Sequence, residues 1–155
     1  MKTAIIIGAS TGIGRATALA LSGKYNSISI TSFKHKEELL SLRDELMAKG
    51  CICYCETGDA GDMEFMEKFI QNTIDHLGSD IDLLINNAGI SYVGLINDMT
   101  AQDFDRTMKS NVYSVFNSCR LVVPHMIQHH KGHIINISSV WGNVGASCEV
   151  AYSAS

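Results

Sequence analysis

Short apolar runs alternate with amphipathic segments along the whole chain, and this alternation limits the fold more than any other feature. Five runs have the length and β-forming composition of strands, at residues 4–7, 27–31, 51–55, 82–86 and 133–137. Helical patterns lie between them. Strand followed by helix, repeated in this way, predicts an α/β fold with a parallel sheet covered by helices on both faces.

Three helical patterns have recognisable ends. Segment 36–49 carries acidic residues in its first turn and is followed by Gly50, and the apolar face of this helix consists of Leu39, Leu42 and Leu46. Segment 62–77 begins at Asp62, a candidate N-cap, and is followed by Gly78; its apolar face consists of Met66, Phe69, Ile70, Thr73 and Leu77. The stretch 100–130 begins at Thr100 with Asp103 at N3, and Pro124 is expected to bend or interrupt it.

The composition favours one compact domain, spanning residues 1–155, that binds a small molecule. The hydrophobic share of 46% is enough for a sizeable core. The net charge of -4 is dispersed, which leaves no basic patch for nucleic acid or anionic lipid. Five cysteines, three of them within residues 51–55, predict a reducing, cytoplasmic location. The first apolar run is too short for a signal peptide, and no segment has the length of a membrane span.

No metal site is predicted, although two patterns raise the question. The cysteines at 51, 53 and 55 fall on one face of a strand, and His125 and His129 are one helical turn apart. Zinc sites use other spacings and a partner segment, so the thiols are interpreted as packing residues. The histidines are interpreted as surface residues near a helix C-terminus.

A glycine-rich turn directly follows the first strand and opens a helix. Glycines at positions 8, 12 and 14 would let backbone N–H groups and the helix N-terminus approach a pyrophosphate, which a side chain at the turn would block. The turn therefore predicts a nucleotide site. Its predicted cofactor-binding residues are Gly8, Ser10, Thr11, Gly12, Ile13 and Gly14.

The end of the second strand favours NADP(H) over NAD(H). Dinucleotide folds place an acid roughly 20 residues beyond the glycines to bind the ribose 2′-OH. Here residues 31–36 contain no Asp or Glu, so the site would not repel a 2′-phosphate. Ser32 and Lys34, with His35 and Lys36 beside them, are candidates to bind it.

Further motifs join the glycine turn in a combination that resembles the short-chain dehydrogenase/reductase family over the whole chain. They are Asp59, Asn86–Gly89, Asn111, Ser139 and Tyr152. The resemblance implies a Rossmann-type doubly wound sheet and a role for Asp59 at the adenine ring. It also implies that Asn86 stabilises the central strand, that Asn87, Ala88 and Gly89 line the cofactor cleft, and that the catalytic residues are Asn111, Ser139 and Tyr152.

The chemistry of carbonyl reduction suits these residues. Hydride transfer to a carbonyl develops negative charge on oxygen, which needs a hydrogen-bond donor and a proton source. Ser139, predicted at the C-terminal end of a central strand, can donate, and Tyr152, predicted near a helix start, can supply the proton. A free phenol has a pKa of about 10 and needs a nearby cation to act at neutral pH. The family supplies a lysine four residues after the tyrosine, at position 156, so we expect this chain to be a C-terminally truncated fragment with little or no turnover.

Within the family, the chain is most similar to the 3-oxoacyl-acyl-carrier-protein reductases of fatty acid biosynthesis. Residues 141–152 also resemble reductases of the 5-aminopentanone modification of elongation factor P. A non-catalytic dinucleotide-binding sensor or interaction module is an alternative, which a stop codon at position 156 would favour. The resemblance implies a homo-oligomer for the full-length protein and a small-molecule or carrier-bound carbonyl substrate.

Overall fold

The computed structural model describes residues 2–155, which form one parallel sheet flanked by helices. The strands are β1 (Thr3–Ile7), β2 (Ser27–Ser32), β3 (Ile52–Thr57), β4 (Ile81–Asn86) and β5 (His133–Asn136). The helices are α1 (Gly12–Leu21), α2 (Lys36–Ala48), α3 (Met63–Leu77), α4 (Ala101–Met108), α5 (Ser114–Gln128), α6 (Trp141–Val144) and α7 (Val150–Ala154). A π-helical segment (Lys109–Tyr113) joins α4 to α5. The predicted α/β fold with a parallel sheet is confirmed.

The sheet is covered on both faces because successive residues of the central strand β1 point to opposite sides. Ala4 and Ile6 belong to the core cluster that contains the apolar face of α2, namely Leu39, Leu42 and Leu46. Ile5 and Ile7 belong to the second cluster, with residues of α3 and α5 that include Met66, Phe69, Val122 and Met126. All five residues of β1 are buried, which explains its continuous apolar run.

The capping residues and glycines in the sequence correctly predicted several helix ends. The Asp62 carboxylate accepts hydrogen bonds from Glu64 N at 2.9 Å and Phe65 N at 3.4 Å, as expected of an N-cap. Thr100 and Asp103 form a reciprocal capping box at the start of α4. Gly50 and Gly78 follow α2 and α3 with φ angles of +86°, a backbone conformation that favours glycine.

The structure differs from two expectations. Pro124 does not interrupt its helix, since α5 runs through it from Ser114 to Gln128. The carbonyl that loses its helical partner belongs to Arg120, and Arg120 and Pro124 are both exposed residues. The irregularity lies instead in the π-helical segment upstream. The strand that precedes Ser139 was expected at the centre of the sheet, but β5 pairs only with β4 and forms an edge of the described sheet.

The strand order, β3-β2-β1-β4-β5, fixes where a ligand can bind. From β1 the chain moves outward to β2 and β3, and then returns to the other side of β1 with β4 and β5. Open α/β sheets bind ligands at the carboxyl ends of the strands where this order reverses, which here is between β1 and β4. Among the helices of residues 2–155, none combines the length and apolar character required to cross a membrane.

Candidate active site

The glycine turn between β1 and α1 is held against the end of β4. Asn87 N donates to Ile7 O at 3.0 Å, and the Asn87 side-chain Nδ2 donates to Gly8 O at 2.7 Å. Gly8 has a φ angle of +84°, and a Cβ added there would lie 2.7 Å from the backbone of Ala88. A Cβ at Gly14 would collide with the carbonyl oxygen of Gly8. Side chains are therefore excluded from positions 8 and 14 by the close approach of two backbones.

Two clefts open on either side of this turn, at the carboxyl ends of the strands. The larger has a volume of about 610 Å³ and the smaller about 340 Å³. Ala88 and Ile90, which follow β4, line both clefts. A ligand with two halves joined by a narrow bridge would fit this arrangement better than a single compact ligand.

The larger cleft brings together the three residues expected to be catalytic: Asn111, Ser139 and Tyr152 all line it. Ser139 lies three residues beyond the end of β5, and its Oγ accepts a hydrogen bond from Trp141 N at 3.2 Å. This bond uses a lone pair, so the hydroxyl hydrogen of Ser139 is left to donate to another acceptor. Tyr152 lies in α7 and is partly exposed. The cleft is therefore lined by two hydroxyl-bearing residues that come from different elements.

The π-helical segment places Asn111 in the larger cleft. Asn111 Oδ1 accepts from Ile90 N at 2.8 Å, and its Nδ2 donates to Ile90 O at 2.9 Å. The same Nδ2 lies 2.8 Å from Ser155 Oγ. The side chain thus joins the loop after β4 to Ser155, which directly follows α7. Single π-helical turns within α-helices often occur at functional sites.

The smaller cleft is lined by Ser32, Lys34 and Asp59 among the predicted cofactor residues. Ser32 Oγ accepts a hydrogen bond from His35 N at 3.3 Å, which leaves its own hydrogen free to donate. Helix α2 starts immediately afterwards without a side-chain cap, and its first N–H, from Lys36, donates to Lys34 O at 3.0 Å. Asp59 lies across the cleft, on the loop after β3.

The other predicted cofactor residues are distributed around the turn. Gly8 lines the smaller cleft, and the larger cleft is lined by Ile13, Asn87, Ala88 and Gly89. Neither lining includes Ser10, Thr11, Gly12 or Gly14, which lie in the turn itself or at the start of α1. The space around a Cβ added at Gly12 contains no atom within 4 Å, so this side of the turn is open.

Asn86, the last residue of β4, stabilises the strand end next to the larger cleft. Its Nδ2 donates to Asn136 Oδ1 at 2.9 Å, across the pair formed by β4 and β5. Its Oδ1 accepts from Ser118 Oγ at 2.7 Å, in the buried face of α5. Because Asn86 is only 3% exposed, these bonds satisfy a polar group that would otherwise be costly to bury.

Sequence reasoning missed two groups of residues at the clefts. Arg106 and Lys109 line the smaller cleft from the side of α4 and the π-helical segment. At the larger cleft, the lining residue Ser91 donates from its Oγ to Glu149 Oε2 at 2.5 Å. The capping box located the start of α4, but the sequence held no signal for which distant loop this helix would contact. Within residues 2–155, no group of three His, Cys, Asp or Glu side chains is arranged to hold a metal ion.

Comparison with known proteins gives consistent results. The family model described as short chain dehydrogenase matches residues 2–155. The 3-oxoacyl-[acyl-carrier-protein] reductase FabG of Staphylococcus aureus is 33% identical over 151 residues, which cover 97% of this chain and 61% of the relative. The NADPH-dependent pterin aldehyde reductase of Arabidopsis thaliana is 34% identical over 155 residues, covering 99% of this chain and 63% of the relative.

A solved structure agrees with these relatives. The crystal structure of a 3-ketoacyl-ACP reductase from Sinorhizobium meliloti 1021 superposes with a TM-score of 0.91 at 29% identity, covering 98% of this chain and 60% of that chain. The present chain therefore spans about three fifths of the length of the proteins that it matches.

Proposed function

The chain belongs to the short chain dehydrogenase family, and from this premise we propose that it is the cofactor-binding part of an NADPH-dependent carbonyl reductase of the 3-oxoacyl-acyl-carrier-protein reductase type. The observation that carries the proposal is the meeting of Asn111, Ser139 and Tyr152 in one cleft beside the glycine turn. Nothing in a dinucleotide sensor requires two hydroxyl groups at this position. Two of the relatives are named as reductases, which supports the same reaction class.

The residues around the turn fit a dinucleotide. Gly8 and Gly14 bring two backbones so close that neither tolerates a Cβ, while the space beside Gly12 is open. A pyrophosphate at Gly12 would face the N-terminus of α1, where N–H groups are unpaired. The smaller cleft would hold the adenosine half and the larger cleft the nicotinamide half. When bound, the nicotinamide supplies the hydride that reduces the carbonyl carbon.

The protein's own residues would handle the charge and the proton at the substrate oxygen. Ser139 would donate a hydrogen bond from its free hydroxyl hydrogen, which stabilises negative charge as it develops. Tyr152 would donate its phenolic proton to the same oxygen, which completes the conversion of ketone to alcohol. Asn111, held by Ile90, keeps α7 and the loop after β4 together at this point.

The test is turnover by the full product of the gene, measured as NADPH oxidation with a 3-oxoacyl thioester. Tyr152→Phe keeps the ring but removes the proton, and we expect kcat to fall on the order of 100-fold or more, in the range found for general acids. Ser139→Ala should have a comparable effect. Tyr113→Phe is the matched control, because Tyr113 is exposed and lines neither cleft. A Tyr152→Phe protein with full activity would refute the proposal.

The preference for NADPH is supported by the charge at the end of β2. Lys34 lines the smaller cleft, α2 has no side-chain cap, and no carboxylate lies among residues 31–36. Lys34→Ala should weaken NADPH binding about 10-fold, the effect of one charged hydrogen bond, and leave NADH binding unchanged. Equal losses for both dinucleotides would show that Lys34 does not contact the 2′-phosphate.

A second candidate substrate is an aminoketone, as in the elongation factor P 5-aminopentanone reductases that residues 141–152 resemble. The specific observation is Glu149, whose carboxylate contacts Ser91 at the cleft and could pair with a substrate ammonium group. Comparing kcat/KM for 5-amino-2-pentanone and 2-pentanone measures the effect of the substrate's ammonium charge. If this candidate is right, Glu149→Gln lowers kcat/KM for the aminoketone alone. An equal effect on both ketones would count against it.

A further inference from the structure

The smaller cleft contains an ion pair between two elements that are distant in sequence. Lys109, the first residue of the π-helical segment, places its Nζ 3.1 Å from Asp59 Oδ2. The other carboxylate oxygen, Oδ1, accepts a hydrogen bond from Gly61 N at 2.9 Å. Asp59 is therefore held from two sides, by its own loop and by the segment opposite. Both side chains remain partly exposed, at 33% for Asp59 and 48% for Lys109.

Lys109 is fixed by packing as well as by charge. A Cβ added at Gly61 would lie 2.5 Å from the carbonyl oxygen of Lys109 and 2.6 Å from its Cγ, so this glycine packs directly on the lysine. One residue earlier, Ala60 O accepts a hydrogen bond from the buried Asn117 Nδ2 at 3.1 Å. The loop at residues 59–61 is thus attached to the π-helical segment and α5 at three successive residues. This arrangement distinguishes Lys109 from a freely moving surface lysine.

The ion pair leaves Asp59 able to bind a ligand. A carboxylate has about four acceptor positions, and the contacts with Gly61 and Lys109 use two of them. Fixing the side chain beforehand reduces the conformational entropy that binding would otherwise cost.

We propose that Lys109 is a positioning residue that holds Asp59 as the acceptor for the exocyclic amino group of a purine in the smaller cleft, and so sets the preference for adenine. This inference rests on the proposed function, which brings an adenine dinucleotide to this cleft. Lys109 itself need not touch the base. Its effect is transmitted through the orientation of the Asp59 carboxylate.

The experiment compares binding of NADPH with binding of its hypoxanthine analogue, in which an oxo group replaces the amino group. Equilibrium titration of the full product of the gene measures both dissociation constants without turnover. Wild type should bind NADPH at least several-fold more tightly, because the oxo group meets an acceptor instead of offering a donor. Lys109→Met should reduce this preference about threefold or more, in line with the cost of ordering one side chain. Lys109→Arg, which keeps the charge, should restore it.

Two further variants test whether Lys109 acts through the Asp59 carboxylate. Asp59→Asn should lower the preference by itself, and the double variant with Lys109→Met should lower it no further, since both changes act on one contact. Lys68→Met is the control, because Lys68 forms an ion pair with Glu64 on α3 outside both clefts. Full preference in Lys109→Met would overturn this assignment alone. Failure of wild type to bind either dinucleotide would overturn it together with the proposed function.

Discussion

Replacing Gly12 by alanine tests whether the open side of the glycine turn is a phosphate site. Gly12 has a φ angle of +57°, and nothing lies within 4 Å of an added Cβ, so the methyl group meets no other part of the protein. The cost to folding is then only the strain of an L-residue in the left-handed region, about 1–2 kcal/mol. Gly50 is the matched control, since it has a φ of +86°, has equally open space around its Cβ and lies at the far end of α2.

The two variants should therefore lose similar stability but differ in binding. Gly50→Ala should bind NADPH like wild type. Gly12→Ala should bind on the order of 10- to 100-fold more weakly, since the methyl group would keep the pyrophosphate from at least one N–H donor, and a hydrogen bond to a charged group contributes about 1.5–3 kcal/mol. Urea unfolding gives the free energies and titration gives the dissociation constants. If Gly12→Ala binds as tightly as Gly50→Ala, no phosphate approaches the turn at this point.

Three further predictions concern stability and reactivity. Thr73→Val leaves the buried Ser29 hydroxyl without the partner now 2.7 Å away, and urea unfolding should show a loss of about 1–3 kcal/mol, whereas no loss would mean that water replaces the threonine. The hydrogen bond from Lys131 lowers the pKa of Asp80, so its stabilising effect is present above the unfolded pKa of about 3.9 and lost as pH falls through the folded value. Lys131→Met should accordingly reduce the difference in unfolding free energy between about pH 7 and pH 3, and an unchanged difference would contradict this. Burial raises the pKa of Cys53 to about 12, so iodoacetamide at about pH 8 should modify the exposed Cys148 first, and peptide mass spectrometry showing the reverse order would refute this.

The elements with strong local signals could be predicted from sequence. The buried faces of α2 and α3 contain the residues that their spacing indicated, and Asp62 and Thr100 cap their helices. These features depend on contacts between residues a few positions apart. The π-helical segment has no comparable signal, because its geometry depends on how Asn111 and Lys109 contact loops far away in the sequence. The expected interruption at Pro124 did not occur, and Arg120, whose carbonyl loses its partner there, is an exposed residue.

The candidate site could be predicted only in part. Asn111, Ser139 and Tyr152 were expected together, and the larger cleft contains all three. Parallel strands bring their carboxyl ends to one edge of the sheet, so motifs after different strands converge there. Contacts such as Glu149 with Ser91, or Lys109 with Asp59, join segments that are 58 and 50 residues apart. No sequence pattern links the two members of either pair, so only the folded chain shows that they are in contact.

The common wall of the two clefts, Ala88 and Ile90, has a consequence for affinity. A ligand that binds in both clefts consists of two weakly binding halves joined by a short linker. Once one half is bound, the effective concentration of the other half at its cleft is on the order of millimolar. Most of the binding strength would then come from the covalent link. Adenosine monophosphate and nicotinamide mononucleotide, titrated separately, should each bind far more weakly than the intact dinucleotide.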